Sequence, residues 1–400
     1  MRRWGRSSLP FRLRSRARRQ AVKVLVVGCL GVAVFVWAAD PVVREGAWWV
    51  RTVTGSEAAP AGALRVVSHG DVTLEGGAGS AVSWVLKVRT KARGLAEARA
   101  RLSGMEVRPR HADGQLVLTA AGAAGDAALA LYVPRGLREV VVATSEGVVR
   151  ATGLEGALVA TSGAGGIYAD RIGRSLVART GGGEIVLGEM GGTARCATGG
   201  GRISARLVRG DAVLETGAGD IAVEEVRGMV RATTMGGTVR IGRAGGTVIA
   251  STGGGQIDVG QARGLVEVRN SGGPVRVGAA SGVRCETATG GIRLSNVSGS
   301  LRASTAIGSI LAQLVAGPAV GDSFLATGRG DITVVIPSNV GVKIRAENEV
   351  SGGVRRIVSD YPGIAPRVRG AQVVAEGDIN GGGPLLRISG TGGTIYIRRQ

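Results

Sequence analysis

The sequence predicts an all-β protein: a single-chain β-solenoid (β-helix) of about eleven 18-residue coils, with a mixed N-terminal cap and an N-terminal transmembrane helix. Three observations lead there. Branched apolar anchors recur at Val149, Ile167, Ile185, Ile203, Ile221, Val239, Ile257, Val275, Ile292, Ile310 and Ile332, with gaps of 18 seven times, then 17, 18 and 22. A glycine stands two residues before every anchor, from Gly147 to Gly330. A small polar residue, usually threonine, stands five before, as in Thr180, Thr198, Thr216 and Asn270. Composition agrees, because Gly is 70 of 400 residues while aromatics are 3%. The glycines do not fall every third residue, which excludes collagen, and 44% hydrophobic residues can bury a core, which excludes wholesale disorder.

In chain order, residues 1–20 form a basic arm. Lys+Arg number 50 against 30 Asp+Glu, a formal charge of +20. Nine cations, Arg2 to Lys23, lie in the first 23 residues without one acid. Residues 21–39 carry Lys23 as their only charge, and about twenty apolar residues at 1.5 Å rise cross a bilayer. They are expected to be a transmembrane signal anchor, with Val36 and Ala38 ahead of Ala39 leaving a cleaved signal peptide as the alternative. The basic flank stays cytoplasmic, and Trp37, Trp48 and Trp49 suit an aromatic belt on the far side. The expected location is therefore the cytoplasmic membrane, single-pass, with the C-terminal domain extracytoplasmic. Topology accounts for the basic arm, so no nucleic acid is expected.

Residues 40–61 read as a linker. Residues 62–139 read as cap strands around a short helix at 94–102, residues 140–339 as the solenoid repeats, and 340–400 as C-terminal coils and cap, with strands returning at Leu386-Arg387-Ile388 and Ile395-Tyr396-Ile397. Within a repeat, apolar residues stand at −9, −7, 0 and +2 relative to the anchor, and free residues lie between them. That is period two, hence two short strands with one buried face. The Thr-Gly-Gly-Gly turns suggest positive φ, which glycine alone adopts cheaply. No repeat can bury its face alone, so neighbours stack at about 4.8 Å, and the threonines become a hydrogen-bonded ladder. An antiparallel sandwich would have variable strand and loop lengths, and left-handed hexapeptide coils would place apolar residues every six.

The Thr-x-x-Gly-x-Ile coils, the strand ends Leu131-Tyr132-Val133-Pro134 and Val335-Ile336-Pro337, and the closing Asn380-Gly381-Gly382-Gly383-Pro384 resemble the adhesin-type domain of the DUF4097 family of bacterial envelope proteins, over about residues 62–398. The resemblance implies a β-solenoid and an envelope setting, with no catalytic signature to carry over.

No cofactor or metal is implied. Cys29, Cys196, Cys285, His69 and His111 lack zinc-ligand spacing. Cys196 and Cys285 fall in one buried column five coils apart, about 24 Å, too far for a disulfide. A polysaccharide-cleaving site needs paired carboxylates, whereas Asp220, Asp258, Glu215, Glu267 and Glu286 are scattered, and Tyr168 is the only aromatic between Val133 and Ser323. Two Arg-Gly-Asp triplets, 209–211 and 329–331, use the repeat's own glycines. The column after the anchor reads Arg240, Asp258, Arg276, Arg293 in consecutive coils. Guanidiniums at strand spacing suit phosphate or carboxylate polymers, so Arg240, Arg276 and Arg293 are the candidate binding residues. The expected function is a non-catalytic, adhesin-like binding or scaffold module, with anionic envelope polymers or surface proteins as partners. The alternatives are an envelope structural or signalling accessory working through the basic arm and, less favoured by these residues, a glycan-cleaving β-helix enzyme.

Overall fold

Stacking is parallel and in register. In the computed structural model, which describes residues 42–121, 126–315, 321–349 and 356–400, each of the eleven anchors is the first residue of a strand, from Val149–Leu154 to Ile332–Ile336. Ile185 pairs with Ile203 and Ile203 with Ile221, one coil per step. These anchor strands form one sheet. The alternating strands that end in the polar residue, such as Leu176–Thr180, Ala194–Thr198 and Ala212–Thr216, form a second, the threonine sheet. Each sheet has eighteen strands among the described residues.

The core is the layer between the sheets. The expected apolar columns are buried: Leu176 and Ala178 from one sheet, Ile185 and Leu187 from the other, all at 0–2% exposure. A further buried column lies five after the anchor, at Leu154, Ile172, Met190, Val208 and Val226. Strict alternation does not reveal it, because the strand makes an odd step between +2 and +5. At three coils the residue at +4 has positive φ: Gly153, Arg171 and Asn296.

Gly273, Gly290, Gly308 and Gly330 of the later turns have the positive φ that the sequence suggests, but the glycines of the central turns are there for a different reason. Among the central Thr-Gly-Gly-Gly turns, 180–183 and 198–201, none has a left-handed φ. Gly201 instead lies against the coil before it: a Cβ there would overlap the Gly183 carbonyl and stand 2.9 Å from the Glu184 nitrogen. In these central turns glycine is needed because backbones approach, not because they twist.

The threonine ladder exists, with peptides as its rungs. Thr216 Oγ1 donates to the Gly201 carbonyl of the preceding coil at 2.8 Å and accepts from the Gly219 N–H of its own coil at 3.2 Å. The same pair of bonds recurs at Thr180, Thr198, Thr234 and Thr252. Each buried hydroxyl thus has a donor and an acceptor.

At both ends the spatial order of coils departs from chain order. Strands Ala63–Ser68 and Asp71–Gly77 form a coil that pairs with the first repeat on one side and with Gln115–Ala121 and Asp126–Pro134 on the other. At the far end, Leu385–Gly390 and Ile395–Arg399 pair with the last repeat, Ser323–Arg329 and Ile332–Ile336. The earlier segments Val342–Glu349 and Ile357–Ser359 lie outside them. Asp322 and Asp331 fix that inserted coil, accepting the Leu385 and Thr394 N–H at 2.9 and 2.8 Å. The helix expected at 94–102 is Leu95–Leu102.

Residues 43–58, expected as linker, are two strands. Val43–Glu45 pairs antiparallel with Trp48–Ala58, which pairs over ten positions with Ala81–Thr90. The β-branched Val50, Thr52, Val53 and Thr54 favour such a pleat. The outermost strands are blunted: Val43–Glu45, Ile357–Ser359 and Arg367–Arg369 have three residues each, and Glu106–Ala112 carries charges and Pro109. The apolar run 21–39, expected as a transmembrane helix, lies outside the described residues. No described helix is long and apolar enough to cross a membrane.

Candidate binding face

Period two decides which residues meet solvent. On the anchor strands the residue after the anchor points away from the core, and parallel register stacks these residues in one column. Arg240 pairs with Asp258, Asp258 with Arg276, and Arg276 with Arg293, so the structure brings the expected residues together in four consecutive strands. The three arginines are exposed and Asp258 is half-buried. None of the four makes a salt bridge among the described residues. At strand spacing, about 4.8 Å, neighbouring guanidiniums keep their donors free to fork onto an outside anion.

The same column, followed toward its start, holds more than the sequence analysis identified. It reads Arg150, Tyr168, Val186, Ser204, Ala222 and then Arg240. Three small side chains between Tyr168 and Arg240 leave a depression over four strand steps, about 19 Å. A groove of about 1290 Å³ lies there, with Arg150, Arg202, Arg206, Arg240 and Arg243 around it and Asp170, Glu224 and Asp258 between them. A groove made by short side chains is legible only once the whole column is aligned.

Its walls are held by local bonds. The Arg150 guanidinium stacks 5.0 Å from the Tyr168 ring centre, and the Tyr168 hydroxyl donates to Glu184 at 2.5 Å. That hydrogen bond, followed by burial, raises the phenol above its ordinary value, so the ring stays neutral and donating. Arg206 bonds Glu189 of the preceding coil at 2.8 Å, and Arg243 bonds Glu225 at 2.7 Å, which holds the Glu225 carboxyl below its ordinary value. Arg150, Arg202 and Arg240 make no ion pair among the described residues and supply the uncommitted charge.

The remaining candidates are used by the scaffold. Asp220 accepts the Thr238 N–H at 2.7 Å, and Asp211 of one Arg-Gly-Asp triplet accepts the Met229 N–H at 2.8 Å. Asp331 of the other binds Thr394. Glu215, Glu267 and Glu286 stand on the threonine strands, Glu267 in a different column from the other two. Cys196 and Cys285 are buried free thiols whose pKa burial pushes up to about 12. No group of three or more His, Cys, Asp or Glu placed to hold a metal occurs among the described residues.

No family model matches the sequence, and no curated protein matches it. Solved structures with partial likeness include a protein named for cell adhesion from Clostridium sporogenes, 9% identical, with a TM-score of 0.16, over 87% of this chain and 100% of that one. Another is named as an adhesin from Bacteroides fragilis, 11% identical, TM-score 0.25, over 87% and 97%. A third is named for lipid binding, from Parabacteroides distasonis, 13% identical, TM-score 0.28, over 73% and 98%.

Proposed function

We propose that this protein is a non-catalytic binding module of the cell envelope that holds an extended anionic polymer along the outward face of its anchor sheet. Residues 21–39 anchor it in the cytoplasmic membrane, with the solenoid outside, as an adhesin-type domain similar to those of the DUF4097 family. One observation carries the ligand class: a groove with uncommitted Arg150, Arg202 and Arg240 around it continues at Arg240 into the stripe Arg276 and Arg293, on one straight column. A chain of phosphates or uronates laid along the axis meets Arg150, Arg202 and Arg240 around the groove and then Arg276 and Arg293 beyond Asp258, and a neutral chain makes no ion pair with them.

The test is binding of the full chain in detergent to polygalacturonate and to neutral dextran across a salt series, with the triple variant Arg240→Ala/Arg276→Ala/Arg293→Ala alongside. Saturable binding to the polyuronate alone, weakening as salt screens the charges and reduced at least tenfold in the variant, is the expected result. Equal binding of both polymers, or an unaffected variant, refutes it.

A further inference from the structure

We infer that the outward face of the N-terminal hairpin is a headgroup-binding surface that rests on an anionic bilayer. The inference builds on the reading of residues 21–39 as a membrane anchor.

Antiparallel register puts Glu45 opposite Trp48, Val43 opposite Val50, Val50 opposite Arg89 and Thr52 opposite Lys87. These side chains share one face, because partners across a ladder point the same way and alternate residues repeat the direction. The two adjacent tryptophans therefore part company. Trp49 packs against the core, and its indole N–H donates to the Ala92 carbonyl at 3.1 Å. Trp48, half-buried, belongs to no core cluster among the described residues. Its ring lies 4.7 Å from the Arg89 guanidinium and 4.8 Å from the Lys91 ammonium, with Val43 beside it 50% exposed. An apolar pair, Val43 and Trp48, is thus rimmed by Lys87, Arg89 and Lys91, with the carboxylates Glu45 and Asp126 on the same face.

Two further facts choose the occupant. Arg89 is paired with Asp126 at 2.9 Å, but Lys87 and Lys91 have no ion pair among the described residues. They are two of only four lysines in a chain that otherwise uses arginine, and a third, Lys23, lies in the apolar run. Lysine is a compact, strongly hydrated point charge that meets a phosphate without needing a forked partner. Tryptophan prefers the headgroup level, where one edge is apolar and the other wet. Reach is set by covalent geometry alone: from Ala39 to Val43 is four residues, at most about 14 Å of chain. An anchor ending at 39 therefore keeps Val43 within that distance of the anchor's end.

The experiment uses the full chain reconstituted into phosphatidylcholine vesicles with and without phosphatidylglycerol, each also made with brominated acyl chains. The difference between the chain and its Trp48→Phe variant isolates the Trp48 emission. Quenching of that emission by brominated lipid when phosphatidylglycerol is present, falling severalfold in Lys87→Gln/Lys91→Gln, is the expected result. Retention through alkaline carbonate extraction with Trp48 emission unaffected by brominated lipid overturns the inference and leaves the anchor standing. Release by carbonate overturns the anchor reading and this one with it. Shielding of Trp48 from aqueous iodide in detergent alone assigns the face to a second copy of the chain and likewise overturns it.

Discussion

Replacing Gly200 and Gly201 one at a time by alanine separates two explanations for a glycine-rich turn. If left-handed backbone were the reason for both glycines, each replacement would cost the same, about 1 kcal/mol. Neither residue has such a φ. At Gly200 a Cβ would meet nothing within 4 Å, so alanine only restricts the unfolded chain and raises stability by about 0.4–1 kcal/mol. At Gly201 the same atom would overlap the Gly183 carbonyl. Parting the coils there costs about 1–3 kcal/mol as overpacking. It also strains the bond that the Gly201 carbonyl accepts from Thr216 and the one its N–H donates to Thr198, each contributing about 1 kcal/mol. The expected loss is therefore about 3–5 kcal/mol, against a small gain one residue away. Urea titration followed by the β-sheet circular dichroism of the folded chain measures both, and hydrogen exchange at Gly183 to Ile185 locates the damage. Equal losses at the two positions, or a tolerated alanine at 201, would refute the steric account.

Three other outcomes follow from the packing and hydrogen bonds of single side chains. Thr216→Val leaves the half-buried Gly201 carbonyl and Gly219 N–H without their hydroxyl and should cost about 1–3 kcal/mol in the same titration, whereas Thr216→Ser should keep most of the stability. Cys196 and Cys285, with thiols pushed up to about 12 by burial, should resist an aromatic disulfide reagent at neutral pH in the folded chain and react only in denaturant. Asp360 accepts from Arg398 at 2.7 Å and from the Arg399 N–H at 3.2 Å, and these bonds lower its pKa below the ordinary 3.8. A depressed carboxylate adds stability above its unfolded value and loses it as pH falls through the folded one. Asp360→Asn should thus lower the thermal midpoint at neutral pH and converge with the unmodified chain in acid. A pH-independent gap between them would contradict the assignment.

What could be read in advance was whatever repeats. The anchors, the glycines two before them, the threonine column and the order Arg240, Asp258, Arg276, Arg293 all follow from one period, because parallel register converts a spacing of 18 into a vertical neighbour. The φ of the central turns did not follow, since close approach between coils is a relation between residues 18 apart that composition of the turn does not express. Nor did the end coils, whose partners are Leu64 with Leu116 and Leu64 with Val140, pairs of 52 and 76 residues that share no period. Strand Trp48–Ala58 was hidden by the same cause, its partner being the antiparallel strand Ala81–Thr90. The groove escaped because the residues that define it, Val186, Ser204 and Ala222, are notable only for being shorter than their neighbours.

The reversed order of the end coils bears on how such a stack withstands pulling. An array whose terminal unit is also its outermost unit unravels like a rope, one turn at a time from the loose end. Here tension arriving through residue 399 reaches a coil, residues 385–399, clasped between the last repeat on one side and residues 342–359 on the other. The opposite tip differs, because tension through residue 42 meets Val43–Glu45, paired among the described residues only with Trp48–Ala58, and then Trp48–Ala58, paired beyond it with Ala81–Thr90. A tether can therefore strip the N-terminal hairpin one row at a time, whereas the C-terminal coil yields only when two rows of backbone bonds break together, so the solenoid resists pulling unequally at its two ends.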